Sequence, residues 1–191
     1  VWTPPACEPA SMSLHLLSLG GHLPMVTPSL VPLVTRNGSG VPTAFLRHCG
    51  TWEGTARRIE PAGVQIDSHL VRVHIEVDGN GYVQTNTVRI GTPREVTASY
   101  HGHFEDEILV FPLTDEVYTL GGDKASAFSG TAWALTDDLI LYQGSRTLGD
   151  KQTSYNEVIA FEGSDRRIRT TQLFEDGAYK LVTMIDEIRV G

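Results

Sequence analysis

The sequence predicts an all-β protein, a sandwich or barrel of short antiparallel strands, preceded by an apolar arm without regular structure. Two observations predict the strands. From Gly50 onward apolar and polar residues alternate with a period of two, the spacing of a half-buried strand. Turn residues interrupt this pattern at short intervals, at Pro61-Ala62-Gly63, Asp78-Gly79-Asn80-Gly81, Gly121-Gly122-Asp123, Asp137-Asp138 and Asp176-Gly177. A third observation predicts the arm: no Asp, Glu, Lys or Arg occurs between Pro9 and Thr35, and prolines recur at Pro24, Pro28 and Pro32.

The arm, residues 1–47, is too apolar for a solvated tail. Its prolines each remove a helix donor and clash with the preceding turn, so no long helix fits. Leu14, Leu16, Leu17 and Leu19 suggest one short helical turn before Gly20-Gly21. Such an arm lies on something apolar, the mouth of a barrel or a neighbouring subunit. A homodimer is therefore expected, because a large bare apolar patch is unusual on a monomer. The first residue is Val1 rather than Met, which reads as a processed or trimmed chain. Asn37-Gly38-Ser39 is an N-glycosylation sequon in a Gly-rich, exposed stretch, marking Asn37 as the acceptor. The two cysteines, Cys7 and Cys49, are either free thiols or one bridge, which by chain entropy would contribute about 4 kcal/mol. Together these signs point to the secretory pathway or the extracellular space.

The body, residues 48–191, divides into expected strands over 51–59, 68–77, 81–90, 95–101, 108–111, 116–120, 127–135, 139–143, 153–161, 167–174 and 179–189. Two hairpins can be put in register. The turn at Gly79-Asn80 sets Val77 opposite Tyr82, Ile75 opposite Gln84, Val73 opposite Asn86 and Val71 opposite Val88. That face points inward, because the other carries Arg72, His74, Glu76 and Arg89, costly to bury without partners. The turn at Asp176-Gly177 sets Phe174 opposite Tyr179, Gln172 opposite Leu181, Thr170 opposite Thr183 and Ile168 opposite Ile185. With Glu187 these form the expected inner face, leaving Arg167, Arg169, Lys180 and Asp186 to water.

The interior so drawn is apolar with polar points at Gln84, Asn86, Thr170, Gln172, Thr183 and Glu187. A solid core avoids such groups, whereas a cavity for a mostly apolar ligand uses a few of them. The formal net charge of −8, with scattered basic residues, argues against nucleic acid or an anionic membrane surface. No apolar run is long enough to span a membrane.

His48-Cys49-Gly50-Thr51-Trp52-Glu53-Gly54 resembles the Gly-x-Trp opening of lipocalins, in which the Trp closes one barrel end against an Arg near the last strand. The resemblance implies an up-and-down lipocalin-like (calycin) barrel, with Arg189 as that partner. Residues 48–191 also resemble a largely uncharacterised lipocalin-like family of bacteria and fungi. The similarity rests on His48 to Gly54, Tyr82-Val83-Gln84-Thr85-Asn86-Thr87, Tyr155-Asn156-Glu157, Arg167-Ile168-Arg169-Thr170-Thr171-Gln172 and Thr183-Met184-Ile185-Asp186-Glu187. Thr171, and Val88 near a second such position, stand where that family carries aromatics, which implies a pocket altered for a different ligand. With its barrel, sequon and apolar arm, the chain is also similar in kind to the fungal β-barrel pericyclases, including hetero-Diels–Alderases acting on quinone methides.

Other chemistries find less support. His101-Gly102-His103 sets two imidazoles on one strand face, but the sequence nominates no third ligand, so no metal is expected. No Gly-x-Ser-x-Gly elbow, dinucleotide fingerprint or phosphate loop occurs, and no cofactor is expected. Glu157 and Glu187 could form an acid pair, although an apolar interior suits sugars poorly. Glu53 is expected to pair with Arg57, Arg58 or Arg189.

The function these readings converge on is a cofactor-independent cyclase or pericyclase acting on an apolar natural-product intermediate, by near-attack positioning and a hydrogen bond to a carbonyl. The alternative is a carrier of the same hydrophobic small molecule. Gln84, Asn86, Tyr155, Thr170 and Gln172 are the candidate donors. Trp52, Val73, Ile75, Tyr82, Glu157, Phe174, Tyr179, Leu181 and Thr183 are the candidate substrate contacts. Tyr142 is a substitute donor if its strand turns the other face inward.

Overall fold

The computed structural model describes residues 34–114, 127–148 and 150–191. One helix, α1 (Thr43–His48), precedes ten strands: β1 (Gly50–Ile59), β2 (Gln65–Asp78), β3 (Gly81–Val88), β4 (Val96–Glu105), β5 (Ile108–Thr114), β6 (Phe128–Thr136), β7 (Leu139–Leu148), β8 (Lys151–Glu162), β9 (Arg166–Glu175) and β10 (Ala178–Val190). Every strand pairs antiparallel with its neighbours in sequence, and β1 pairs with β10. The result is a closed up-and-down barrel of the lipocalin-like kind, without sheet edges. Among the described residues no helix is long and apolar enough to cross a membrane. The expected strand at 116–120, the helical turn at 14–19 and Cys7 lie outside the described residues.

The first hairpin has the expected register, Val77↔Tyr82 through Val71↔Val88. Val71, Val73, Ile75 and Tyr82 are buried on its inner face, while Leu70 is 55% exposed on the outer one. The third strand stops at Val88 because Arg89 adopts a left-handed conformation, φ 59°, which an extended ladder does not accommodate. Pro112, which has no N–H to give, falls in the β5–β6 register shift between Phe111 and Thr114.

The last hairpin corrects the sequence reading. Tyr179 faces Phe174 as expected, but a bulge follows, and Leu181 faces Leu173, Thr183 faces Thr171 and Ile185 faces Arg169. One inserted residue turns the whole of β9 over. Arg167 and Arg169, expected in water, are buried, while Ile168 and Gln172 are exposed.

Helix α1 arises within the segment expected to lack regular structure. It begins directly after Pro42 and buries Ala44, Phe45 and His48. Phe45 packs edge-on against Phe104 (centroids 5.1 Å apart) and Tyr82 (6.4 Å), plugging one end of the barrel. Burial of that ring contributes about 1.5–3 kcal/mol.

The Gly-x-Trp opening has a steric cause. Gly50 sits at φ +102°, and a Cβ there would lie 2.8 Å from Nη1 of Arg189. At Gly54 a Cβ would lie 2.1 Å from the Asp186 carbonyl oxygen and 2.8 Å from Cγ of Glu187. Gly54→Ala must therefore prise β1 from β10. We expect a loss at or above the upper end of the overpacking range, about 3 kcal/mol, read as a lowered urea midpoint.

Candidate functional site

The plugged end of the barrel is built around Trp52, which is fully buried. Its Nε1–H donates to the His48 carbonyl at 2.9 Å. The guanidinium carbons of Arg167 and Arg189 each lie 4.3 Å from its ring centroid. Arg189 also donates to the Arg47 carbonyl (2.6 Å) and the Cys49 carbonyl, clamping the helix exit to the last strand. The Trp–Arg closure implied by the resemblance is present, with a second arginine besides.

Beneath Trp52, the overturned strand β9 builds an arginine–glutamate lattice. Arg167 Nε donates to Glu187 (2.5 Å), and Arg169 donates to Glu187 (3.3 Å) and to both oxygens of Glu157 (3.0 and 3.1 Å). Thr171 Oγ1 donates to Glu157 at 2.5 Å. Burial alone would raise the Glu157 carboxyl, but Arg169, with the Thr171 hydroxyl, outweighs it and holds the group below its ordinary value. Burial lowers Arg167 to about 10, against the pull of Glu187, so it stays charged at neutral pH.

His48 completes the lattice by accepting from Arg167 Nη1 at Nδ1, 2.8 Å away. Burial, then Arg167, Arg169 and Arg189, hold this imidazole well below its ordinary 6.5, so it is neutral. The unfolded chain takes up the proton more readily, so the contribution of His48 to stability is complete above pH 6.5 and falls as pH drops below it. Denaturant unfolding between pH 7.5 and 5 should show this slope, and His48→Gln should flatten it.

Two cavities with shared lining residues lie in the interior. The deeper, about 160 Å³, lies under α1 and is walled by Tyr82, Phe111, Tyr142, Tyr155 and Ile159, with Glu157 and Arg169 at one side. The second, about 360 Å³, lies toward the opposite end among Val71, Val88, Leu173, Leu181 and Ile185, with Arg58 and Arg89. Arg146, Tyr155 and Thr171 border both. Inner-face glycines make room for the phenols: a Cβ on Gly144 would lie 2.6 Å from the Tyr155 ring, and one on Gly130 2.7 Å from the Tyr142 hydroxyl.

Polar groups are ordered along the walls. Tyr82 donates to Gln84 (2.8 Å), whose NH₂ donates to Asn86 (3.0 Å). This relay leaves the Asn86 NH₂ as a donor at the cavity wall. Tyr142 and Tyr155 stack at 5.6 Å. Burial raises all three phenols well above their ordinary 10, Tyr142 further through Tyr155, so each is an un-ionised donor at physiological pH.

Of the expected donors, Gln84, Asn86 and Tyr155 line the deep cavity, and Tyr142, the substitute, joins them. Thr170 and Gln172 face outward, because the bulge overturned their strand. Tyr82 and Glu157 line the deep cavity, and Leu181 and Thr183 the outer one. Val73 and Ile75 belong to the packed core, and Trp52 to the plugged end. Phe174 and Tyr179 pack on each other at 5.8 Å away from both cavities. Cys49 carries a free thiol directed at the Phe45 carbonyl (3.4 Å), and Cys7, its expected partner, lies outside the described residues. Asn37 is exposed, its Oδ1 accepting from the Ser39 and Val41 amides (both 3.0 Å). Glu53 pairs with Arg72 (2.5 Å), not with the arginines expected.

The sequence reading missed Arg146, Arg167, Arg169 and the role of His48. One signal was present: Glu187, read as inward, required a buried cation, and the adjoining strand offers Arg167 and Arg169 at the period of one face.

Fold and cavities together define a lipocalin-like barrel with an interior able to hold a small molecule. No protein-family model matches the sequence, and no curated protein is similar to it. Among solved structures, a protein of unknown function of the DUF3598 family from Nostoc punctiforme is similar over 76% of this chain, at TM-score 0.54 and 19% identity. The chain spans 49% of that protein's length. An S-type phycobiliprotein lyase from Guillardia theta is similar over 77% of this chain and 90% of its own, at TM-score 0.48 and 11% identity.

Proposed function

We propose that the barrel interior binds a mostly apolar, flat small molecule, entering from the end opposite α1. The observation that carries this reading is the aromatic-walled cavity whose phenol and amide donors converge on unfilled space. A residual void in a packed core would have collapsed or stayed apolar. Here Gly130 and Gly144 let the Tyr142 and Tyr155 phenols lie close against the wall strands, and Asn86 ends its relay on the space itself. Native mass spectrometry of the purified protein, followed by organic extraction, tests it. A co-purifying small molecule at unit stoichiometry supports the reading. Its absence, together with failure to bind any member of an aromatic fragment library, contradicts it.

A second reading, cofactor-independent cyclisation of the bound molecule, is favoured by the un-ionised phenols of Tyr142 and Tyr155, that of Tyr82 being committed to Gln84. Neutral donors aimed into a water-poor site stabilise charge gathering on a carbonyl without themselves reacting. Incubation with an ortho-quinone methide generated in situ and an alkene separates the two. Rate acceleration with one enantiomer in excess, lost in Tyr142→Phe/Tyr155→Phe, marks a cyclase. Racemic product at the buffer rate marks a carrier.

A further inference from the structure

We propose that the ligand is an organic anion, an apolar body bearing a carboxylate- or sulfonate-type group that Arg146 receives at the waist between the two cavities. This deepens the small-molecule reading and rests on it. Arg146 projects from the inner face of β7 and borders both spaces. Among the described residues its one hydrogen-bond partner is the Tyr100 hydroxyl, which accepts from Nη2 at 2.9 Å. Its Nε is shut off from solvent with no partner among the described residues.

Arg146 is half-buried, and the buried guanidiniums of the barrel are neutralised. Arg167 and Arg169 hold Glu187 and Glu157, and Arg89 holds Asp67. Glu157, the carboxylate bordering the deep cavity, is committed to Arg169 and Thr171. The outer cavity is lined by Arg58, Arg89 and Arg146 and by no Asp or Glu. An uncompensated cation in a poorly solvated site is costly until an anion meets it. The planar fork of Arg146 suits two acidic oxygens, which bind it bidentately through its terminal nitrogens. Tyr155 borders the same waist with its hydroxyl, while that of Thr171 is committed to Glu157. Val71, Val88, Leu173 and Leu181 remain to hold the apolar body.

Two fluorescent probes with the same aromatic skeleton test the assignment: 1-anilinonaphthalene-8-sulfonate, and N-phenyl-1-naphthylamine, which lacks the sulfonate. The wild-type barrel should bind the sulfonate about 10–100-fold tighter than the neutral amine, the range of a charge-assisted hydrogen-bond pair. In Arg146→Gln the sulfonate should fall to the level of the amine while amine affinity stays within about twofold, and Arg146→Lys should restore part of the difference. Equal affinities in the wild type overturn the proposal even if Arg146→Gln does not fold. So does sulfonate affinity that Arg146→Gln leaves unchanged. A wild-type barrel that binds neither probe overturns the small-molecule reading itself, which separates the two failures.

Discussion

Glu187→Gln should cost the barrel about 3–5 kcal/mol, the penalty of leaving a buried guanidinium without its counter-charge. Glu187 and Arg167 are both fully inaccessible, and among the described residues Arg167 has no other acidic partner. For a domain of this size that loss lowers Tm by roughly 10 °C, measurable by calorimetry. A control lies on the same two strands: Arg166 and Asp186 pair at 2.9 Å on the outer face, with both side chains more than 40% exposed. Asp186→Asn should move stability by less than about 1 kcal/mol. Acid should reproduce the loss through Glu157, whose carboxyl titrates below its ordinary 4.5 in the folded barrel. The unfolded chain binds that proton more readily, so the contribution of Glu157 is full above pH 4.5 and vanishes as pH falls through the folded value.

Trp52→Ala should have a comparable effect, about 3–5 kcal/mol, by emptying the space between two arginines. The loss exceeds transfer of the ring alone, because Arg167 and Arg189 both give up a cation–π face and the His48 carbonyl loses its donor. Trp52→Phe keeps an aromatic face and forfeits chiefly the indole hydrogen bond, about 1 kcal/mol plus the volume difference. A urea midpoint for Trp52→Phe near that of Trp52→Ala would mean that the arginine sandwich contributes little.

Most of the fold was legible because its signals are local. Period-two alternation and Gly- and Asp-rich turns located the strands, and the Gly79-Asn80 turn set a hairpin register that the structure reproduces pair by pair. The candidate site was legible only where that register held, at Tyr82, Gln84 and Asn86. In β9 the reading failed for a definable reason. A bulge after Tyr179 carries no composition signal, and one residue of slip exchanges Thr170 and Gln172 for Arg169 and Thr171. The rule that arginine faces water decided against the correct face, because the carboxylates that make burial tolerable come from the two flanking strands, β8 and β10, and only the overturned register brings them together. Arg146 carried no local signal at all; its role depends on which neighbours lack a carboxylate.

The central claim is that the barrel interior is a ligand site. Methyl NMR of the ¹³C-labelled protein titrated with N-phenyl-1-naphthylamine tests it most directly. Saturable one-to-one shifts are expected at Leu109, Ala132, Ile140 and Ile159, whose side chains line the deep cavity, or at Val71, Leu173 and Leu181 in the outer one. Shifts confined to the exposed outer residues Leu70, Leu113, Met184 and Ile188 would contradict it and leave the interior a closed structural core.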